Sequence, residues 1–296
     1  MLAPAVPSPR VASAVRRAVL GWYDREHRDF PWRGITDPYA VLVSEVMLQQ
    51  TQASRVADRF PRFLARFPTP AGLADAAPAA VLAEWSGLGY NQRALALRDA
   101  AATIARGGWP VDVAGLERLP GVGPYTARAV ASLAFGIPVG VVDTNVRRWL
   151  LRRFGGPDGP RALQAISDAL AAPGAADGRI ADWTHASMEL GAGVCRARAP
   201  RCDACPVAHG CPSRGRAAIV PVAPQPPLAG SDRAVRGAVV RLLGQSPRHR
   251  LPEAQLRSHV GVAEERWDRV VAGLERDRLI HRSRGGIGLG AATIGP

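Results

Sequence analysis

The stretch Leu119-Pro-Gly-Val-Gly-Pro-Tyr-Thr-Ala127 decides the fold of this 296-residue chain, because its turn residues stand between two helical segments. Gly121 and Gly123 permit positive φ angles and allow a ligand to come close to the backbone. Pro124 then starts a helix whose first N–H groups lack intrahelical partners and point back at the turn. Such a turn is a favourable anion site. For a generic Gly-x-Gly pattern, an ordinary helix–helix turn is the alternative.

Segments with apolar residues at helical spacing lie on both sides of this turn, over residues 11–212. They are Val11–Asp24, Pro38–Phe67, Ala79–Trp85, Arg93–Ala105, Tyr125–Phe135 and Thr144–Phe154. Asp37 before Pro38 is typical of a helix start, since Asp is a preferred N-cap and Pro fits the first helical position. The sequence contains no series of alternating strands and no internal repeat. We therefore expect a mostly α-helical fold.

A proline-rich segment at residues 215–230 is predicted to be an extended linker. Beyond it, the pattern predicts helices at Ser231–Gln245, Pro252–Val260 and Ala263–Leu279, then β segments at Leu279–Arg282 and Ile287–Leu289. This order predicts a small winged-helix-like domain over residues 231–296. A helical cap docked on the main domain fits the same periodicity.

Charge and composition exclude several classes of protein. The chain carries 38 basic against 25 acidic side chains, a net charge of +13, and every basic residue is arginine. A hydrophobic content of 47% supports a folded core rather than a disordered chain. No stretch approaches the ~20 apolar residues of a membrane span, and the N-terminus lacks a signal-peptide core. We expect a cytoplasmic protein with an anionic partner such as nucleic acid. Without lysine, no side-chain amine can form a Schiff base.

Glu45 lies in a predicted helix, Pro38–Thr51, on the same face as Val41, Leu42 and Leu48. A carboxyl group in apolar surroundings loses hydration, so its pKa should rise and it could remain a proton donor near neutral pH. The alternatives are a Glu paired with a buried arginine, or one at the edge of the apolar stripe.

Asp143 follows the apolar run Ile137–Val142 and precedes the helix that starts at Thr144. Its structural role would be that of a helix N-cap. Its functional role would be that of a carboxylate that stays ionised at a polar helix end. A proton donor and an ionised carboxylate together are typical of glycosidic bond cleavage, in which the leaving group is protonated and positive charge develops on the sugar.

All four cysteines lie in the pattern Cys195-x6-Cys202-x2-Cys205-x5-Cys211. Four thiolates this close together in an intracellular protein favour a metal over disulfides. A four-cysteine zinc site is the competing interpretation, but such sites usually have two short pairs and a long spacer. The arginines of the first intervening loop could contact phosphate or form a solvated basic loop; they are Arg196, Arg198 and Arg201.

Together these segments resemble the MutY-type adenine DNA glycosylases of the endonuclease III, or helix-hairpin-helix, superfamily over about residues 11–214. The family's motifs occur here in order as Phe30–Arg33, Ser44–Thr51, Gly87–Tyr90, Leu119–Ala127, Val142–Asn145, Glu189–Gly191 and the four cysteines. The block Glu-Val-Met-Leu-Gln-Gln-Thr, residues 45–51, distinguishes this family from endonuclease III relatives.

The resemblance implies a mostly α helix-hairpin-helix DNA glycosylase fold with an iron-sulfur cluster loop and a small C-terminal winged-helix-like domain. The catalytic domain would span residues 1–214, with a six-helix part at about 37–140 and a cluster-bearing part formed by the N-terminus and 141–214. The linker would be 215–230 and the small domain 231–296. The cysteine spacing matches the [4Fe-4S] loop of the superfamily, so the implied cofactor is a [4Fe-4S] cluster.

The resemblance also implies residue roles. Glu45 would protonate the adenine ring and handle the attacking water, Asp143 would stabilise the sugar cation, and Tyr125 and Asn145 would support them. Adenine would be bound by Trp32, Arg33, Leu48 and Glu189, and Gln50 and Tyr90 would enter the duplex near the opposing base. DNA phosphate would be bound by Gly121, Val122 and Gly123. The alternatives are purely structural roles: Trp32, Leu48 and Tyr90 would be core residues, and Glu189 would pair with an arginine.

The implied activity is excision of adenine opposite 8-oxoguanine or guanine from double-stranded DNA, by a monomeric, nucleoid-associated bacterial enzyme without membrane contact. Tyr125 stands where endonuclease III relatives have a catalytic lysine, which predicts a monofunctional enzyme that leaves an abasic site. A bifunctional glycosylase/lyase and a non-catalytic DNA-binding homologue are the rival functions. The 66 residues from Ser231 are too short and too helical for the MutT-like domain of many members, so the tail is a candidate for lesion recognition.

Overall fold

The computed structural model describes residues 6–155, 159–215 and 227–291. Helices dominate, as predicted. The helices of the first half are α1 Pro9–Glu26, α2 Pro38–Leu48, α3 Ala53–Arg66, α4 Pro70–Asp75, α5 Pro78–Trp85, α6 Gln92–Gly107, α7 Val113–Glu117 and α8 Pro124–Phe135. Those of the second half are α9 Thr144–Phe154, α10 Pro160–Ala171, α11 Gly174–Asp177, α12 Ile180–Glu189, α13 Asp232–Gln245, α14 Glu253–Val260 and α15 Glu264–Arg276.

The sequence prediction of one helical segment over Pro38–Phe67 is wrong at its middle, as is that of a helix over Pro38–Thr51. Helix α2 ends at Leu48 and α3 begins at Ala53. Gln50 between them has a φ of 54°, which no α-helix accommodates. The apolar period continues through the break because both helices bury the same kind of face, so periodicity alone does not reveal it.

The chain forms two compact units. The first consists of Met1–Glu45, Pro110–Arg118 and Val122–Ala223. Helix α1 packs on α10 and α12, and α8 packs on α7 and α12. Its core includes Trp149 and Trp183, whose rings meet edge to face at 6.4 Å. Cys195 and Cys205 pack against the same core, which fixes one side of the cysteine loop.

The second unit consists of Val46–Trp109, Leu119–Gly121 and Pro224–Pro296. Helix α6 packs on α4 and α5, and α5 packs on α3. The aromatic core of this part includes Trp85, which meets Phe63 edge to face at 5.9 Å.

The C-terminal segment within this unit has the predicted order of elements. A short strand, β1 Arg250–Leu251, follows α13, and β2 Ile280–Ser283 and β3 Gly286–Leu289 follow α15. The strands form an antiparallel sheet of order β1-β3-β2. The two predicted β segments thus belong to a small three-stranded sheet, and α13 packs on α5 of the same unit.

The predicted linker at 215–230 cannot be followed along its length, because residues 216–226 lie outside the described ranges. In the described part of the chain, no helix has the length and apolar character needed to cross a membrane.

Candidate active site and cysteine loop

Glu45 is buried in α2, with 3% of its surface exposed, as its helical spacing predicted. Its carboxyl group is in hydrogen-bond contact with the Tyr125 hydroxyl. Its second oxygen, Oε2, is buried without a hydrogen-bond partner among the described residues. Burial raises the pKa of Glu45 to about 7, against the opposing effects of the Tyr125 hydrogen bond and the Arg33 charge. The group can therefore carry a proton near neutral pH.

Tyr125 and Asp143 lie within electrostatic range of Glu45. Asp143 raises the pKa of Glu45, and both carboxylates raise the pKa of the Tyr125 phenol, for which burial is the main cause. The Tyr125 hydroxyl oxygen also lies 3.8 Å from Met188 Sδ. A cavity of about 470 Å³ opens beside Tyr125 and Val142, with Arg147 in its lining. The two carboxyl groups selected from the sequence therefore lie within electrostatic range of each other and of Tyr125.

Asp143 is the N-cap of α9, as predicted. Its Oδ1 accepts a hydrogen bond from Val146 N at 2.6 Å, and its Oδ2 accepts from Asn145 Nδ2 at 2.8 Å. Burial raises its pKa, while these hydrogen bonds and the Arg148 guanidinium lower it. Asp143 therefore differs from Glu45, because several donors stabilise its charged form.

Helix α9 joins Asp143 to the cysteine loop through two buried arginines. Arg148 donates to Asn145 Oδ1 at 2.9 Å, to Gly191 O at 2.6 Å and to Cys195 O at 2.7 Å. Arg152 donates to Arg196 O at 2.7 Å and lies 3.5 Å from Cys195 Sγ. A side chain at Gly191 would meet Asn145 O at 2.4 Å, so the approach needs glycine.

The four cysteines are free thiols on one half-buried loop. Burial raises the pKa of the Cys205 thiol, and the charges of Cys195, Cys202 and Cys211 raise it further, so all four lie within electrostatic range. No three His, Cys, Asp or Glu side chains of the described residues group as ligands of one metal ion. Arg196, Arg198 and Arg201 of this loop are exposed.

Glu189 is buried and engaged by two arginines, which is the structural alternative that the sequence left open. Its Oε1 accepts from Arg28 N at 2.9 Å and from Arg28 Nε at 2.7 Å, and its Oε2 accepts from Arg33 Nη2 at 2.9 Å. Arg33 is thereby fixed near Glu45 and also lowers the pKa of the buried His185, which burial already depresses.

Trp32 is buried and stacks on Phe30, with ring centroids 4.8 Å apart and planes nearly parallel. The Arg28 guanidinium lies over the Phe30 ring, 5.0 Å from its centroid. Leu48, the other apolar residue expected in the pocket, lies half-buried at the end of α2 in the second unit.

The glycine turn has the predicted local form. Gly121 has a φ of 73°, Gly123 is the N-cap of α8, and Pro124 is the first helical residue. A side chain at Gly121 would meet Ala96 Cβ at 2.7 Å, so close packing adds to the φ requirement. Gly121 and Gly123 are exposed, while the Val122 side chain is buried. The backbone of this turn is therefore open to a phosphate.

Gln50 and Tyr90 are exposed on loops of the second unit, and both have left-handed backbone angles, with φ of 54° and 47°. Tyr90 is thus no core residue. Arg93 holds both loops: its guanidinium donates to Val46 O at 2.7 Å, to Thr51 Oγ1 at 3.0 Å and to Gly89 O at 2.9 Å. It also lies over the Tyr90 ring, 5.6 Å from the centroid. Burial lowers the pKa of Arg93 to about 10.

Sequence reasoning missed the arginines that organise these sites, namely Arg28, Arg93, Arg148 and Arg152. The chain contains 38 arginines, so the presence of an arginine does not by itself indicate that it has buried partners. The position of Arg148 and Arg152 on one face of α9, four residues apart, was an available indication.

Comparison with known proteins shows the family of this chain. The model of the HhH-GPD superfamily of base excision DNA repair proteins matches residues 43–172. An adenine DNA glycosylase of Mycobacterium tuberculosis is 41% identical over 267 residues, covering 81% of each chain. One of Mycolicibacterium smegmatis is 43% identical over 238 residues, covering 77% of this chain and 80% of its own. The solved structure of a thermostable thymine-DNA glycosylase superposes with a TM-score of 0.63 at 30% identity, covering 69% of this chain and 96% of its own.

These relatives span most of the chain, and the helical fold agrees with the solved structure. The chain belongs to the HhH-GPD superfamily of base excision DNA repair proteins and, within it, to the MutY-type adenine DNA glycosylases.

Proposed function

We propose that the protein is a monofunctional adenine DNA glycosylase that removes adenine mispaired with 8-oxoguanine or guanine and leaves an abasic site. The observation that carries this proposal is the state of Glu45: a buried carboxyl group with a pKa of about 7 and an unpaired Oε2, in electrostatic range of Asp143. An acid of this kind beside an anion suits N-glycosidic bond cleavage.

In the proposed reaction, protonated Glu45 transfers its proton to a ring nitrogen of the extruded adenine. The glycosidic bond then breaks, and its electron pair stays with the leaving base. Asp143 stabilises the positive charge that develops on the sugar, or bonds to it transiently. Water adds to the sugar carbon, and its proton returns to Glu45, which restores the enzyme. Tyr125 and Asn145 hold the two carboxyl groups through the contacts described above.

Adenine must leave the duplex to reach Glu45, at an unstacking cost of a few kcal/mol that mispairing lowers. In this proposal Trp32, Arg33, Leu48 and Glu189 contribute to adenine binding, and Gln50 and Tyr90 enter the duplex near the opposing base. Glu189 acts through Arg33, which it holds with a 2.9 Å ion pair. The turn backbone at Gly121–Gly123 binds phosphate.

The monofunctional outcome rests on composition. The chain contains no lysine, so no lysine Schiff base can open the sugar and cleave the strand. A duplex with an A:8-oxoguanine pair, incubated with enzyme, should be nicked only after alkali. Nicking without alkali, together with borohydride trapping of DNA on the protein, would establish a bifunctional enzyme instead.

We also propose that Cys195, Cys202, Cys205 and Cys211 hold a [4Fe-4S] cluster, which would fix the loop that Arg148 and Arg152 join to α9. Purified protein should be yellow-brown and contain about four irons per chain. A colourless, zinc-loaded protein would contradict this assignment. The enzyme would act as a cytoplasmic, nucleoid-associated monomer with residues 1–214 as its catalytic domain, 215–230 as linker and 231–296 as the small domain.

Single-turnover release of adenine, with native protein and with Glu45→Gln, tests the whole proposal. We expect release by the native enzyme and near-complete loss in the variant, with DNA binding retained in both. No release by native protein that binds the duplex would favour the non-catalytic homologue, and undiminished release by the variant would remove Glu45 as the acid.

A further inference from the structure

The third helix of the C-terminal domain carries opposite charges at its two ends. Helix α15 begins with Glu264 and Glu265, and it ends at Arg276, with Arg278 just beyond. In helix-turn-helix proteins the recognition helix meets the major groove with its N-terminal residues. Glu264 pairs with Arg257 at 3.4 Å, but Glu265 has no ion pair among the described residues and would repel phosphate, which disfavours the usual docking of this helix end on DNA. The basic end is the better candidate for a nucleic-acid contact.

That basic end contacts the loop of Tyr90. The side chain of Gln92, which begins α6 two residues after Tyr90, donates to the main-chain oxygen of Asp277. Asp277 directly follows α15 and precedes Arg278. Both residues belong to the same compact unit, so the contact is internal to that unit. The C-terminal domain thus lies next to the exposed aromatic residue expected to enter the duplex.

The acidic groups at this end are already engaged. The Asp277 carboxylate pairs with Arg236, and Glu275 pairs with Arg282 at 3.0 Å. Arg276 and Arg278 are exposed and have no carboxylate partner among the described residues. Arg278 also has a φ of 56°, which fixes the turn that presents it. Two unneutralised guanidinium groups therefore flank the point of contact.

We propose that Arg276 and Arg278 bind backbone phosphates of the duplex beside the base pair that Tyr90 enters. This inference rests on the proposed function, because it takes duplex DNA as the substrate. The contact would position the duplex and add affinity without reading bases, since phosphate contacts carry no direct sequence information. It would also give the segment after residue 230 a role in holding the strand beside the lesion.

The test is the salt dependence of binding, measured with the double variant Arg276→Gln/Arg278→Gln in full-length Glu45→Gln protein. The logarithm of the association constant falls linearly with the logarithm of the salt concentration, and each lost phosphate contact makes this fall less steep by about 0.9. The double variant should therefore bind an A:8-oxoguanine duplex with a slope that is less steep by about 1.8. The matched control is Arg257→Gln/Arg269→Gln, which removes the same charge from arginines of the same domain that pair with Glu264 and Asp232.

The control pair should leave the slope unchanged, and both proteins should unfold at the native temperature. Equal slopes for the Glu45→Gln protein with and without the Arg276/Arg278 substitutions would overturn the proposal. Equal changes of slope in both double variants would also overturn it, because they would indicate an effect of net charge and not of two specific contacts. Neutral methylphosphonates placed along each strand would locate the contact, because their effect on binding should vanish in the double variant at the contacted phosphates.

Failure of this inference and failure of the proposed function can be told apart. Binding slopes do not depend on base release, so a protein that releases no adenine but shows the slope difference keeps the phosphate contact and loses the enzymatic function. A protein that releases adenine with unchanged slopes keeps the function and loses the contact.

Discussion

Glu45 and the pair Gln50 and Tyr90 are held in place by opposite means. Glu45 is buried inside a regular helix and has few hydrogen bonds, and this lack of solvation raises its pKa. Gln50 and Tyr90 are exposed on irregular loops, and the Arg93 guanidinium fixes the backbone beneath them. In the proposed function, the chemistry depends on a poorly solvated side chain, whereas the two residues that would enter the duplex depend on a well-anchored main chain.

The comparison predicts that chemistry and recognition can be separated by substitution. Changes around Glu45 and Asp143 should alter the rate of base release at saturating DNA. Changes around Arg93 should alter affinity and discrimination between base pairs, with a smaller effect on that rate. A substitution that changed the rate of base release and the discrimination between base pairs equally would contradict this separation.

Glu45→Gln should have the largest effect. Loss of a positioned acid costs about 10²–10⁴-fold in rate. Because the pKa of Glu45 is about 7 in the folded protein and about 4.5 in the unfolded chain, this group lowers the free energy of unfolding progressively as pH rises from about 4.5 to 7, and by a constant amount above 7. Thermal unfolding should therefore show the variant more stable than native protein at pH 8, with a smaller difference at pH 5. A variant that is less stable at pH 8 would contradict the burial argument.

Asp143→Asn should follow, with a loss of roughly 10²–10³-fold in single-turnover rate, because it removes the charge that stabilises the sugar cation. Asn is as good an N-cap as Asp, so α9 and the unfolding temperature should be preserved. Asp168→Asn serves as a control, since that carboxylate pairs with Arg128 at 2.8 Å and is given no catalytic role. Equal rate losses in the two variants would argue for a structural effect.

Arg93→Lys should reduce discrimination between A:8-oxoguanine and A:T pairs by about tenfold, which corresponds to roughly one hydrogen bond to a charged group. Lysine cannot supply the planar fork that reaches carbonyl groups of both loops. Arg98→Lys on the same helix is the matched control, because Arg98 donates to Ala76 O at 2.8 Å and pairs with Asp99, both outside these loops. If the Arg93 variant lost base-release rate at saturating DNA and kept its discrimination, the division between the two regions would fail.

Tyr125→Phe should shift the pH profile more than the maximum rate. The rate should fall as pH rises through about 7, because the protonated form of Glu45 is the acid. The Tyr125 hydrogen bond lowers the pKa of Glu45, so its removal should move this fall to higher pH, by up to about one unit for a hydrogen bond of ordinary strength. A shift to lower pH would show that the hydroxyl stabilises the protonated acid instead.

Thr144→Gly should have the smallest effect. Thr144 is exposed at the first position of α9. The substitution should lower the free energy of unfolding by no more than about 0.5 kcal/mol. Base release should be unchanged, since Asp143 keeps its hydrogen bonds to Val146 and Asn145. A large loss of rate would show that the stiffness of this helix start matters for the anion.

The sequence predicted the first region far better than the second. The burial of Glu45 could be predicted from helical spacing, and the position of Asp143 from N-cap preferences, because both depend on residues close in sequence. The break between α2 and α3 was missed because a tertiary contact, Arg93 with the carbonyl groups of Val46 and Met47, ends α2 in a segment whose apolar period continues. Left-handed angles at Gln50 and Tyr90 leave no trace in residue type, since neither is glycine. The cysteine spacing predicted the loop but not the arginines that hold it.

The left-handed backbone at Gln50 and Tyr90 has a consequence for how the protein searches DNA. Such angles cost about 1–2 kcal/mol for each non-glycine residue. This cost is part of the free energy of folding, so it is not added again when DNA binds. In the proposed function, the main chain that carries these two side chains is therefore already fixed when they meet a base pair, and has little conformational freedom left to lose on contact. The time spent testing a pair is then set by how readily that pair opens, and not by rearrangement of the protein.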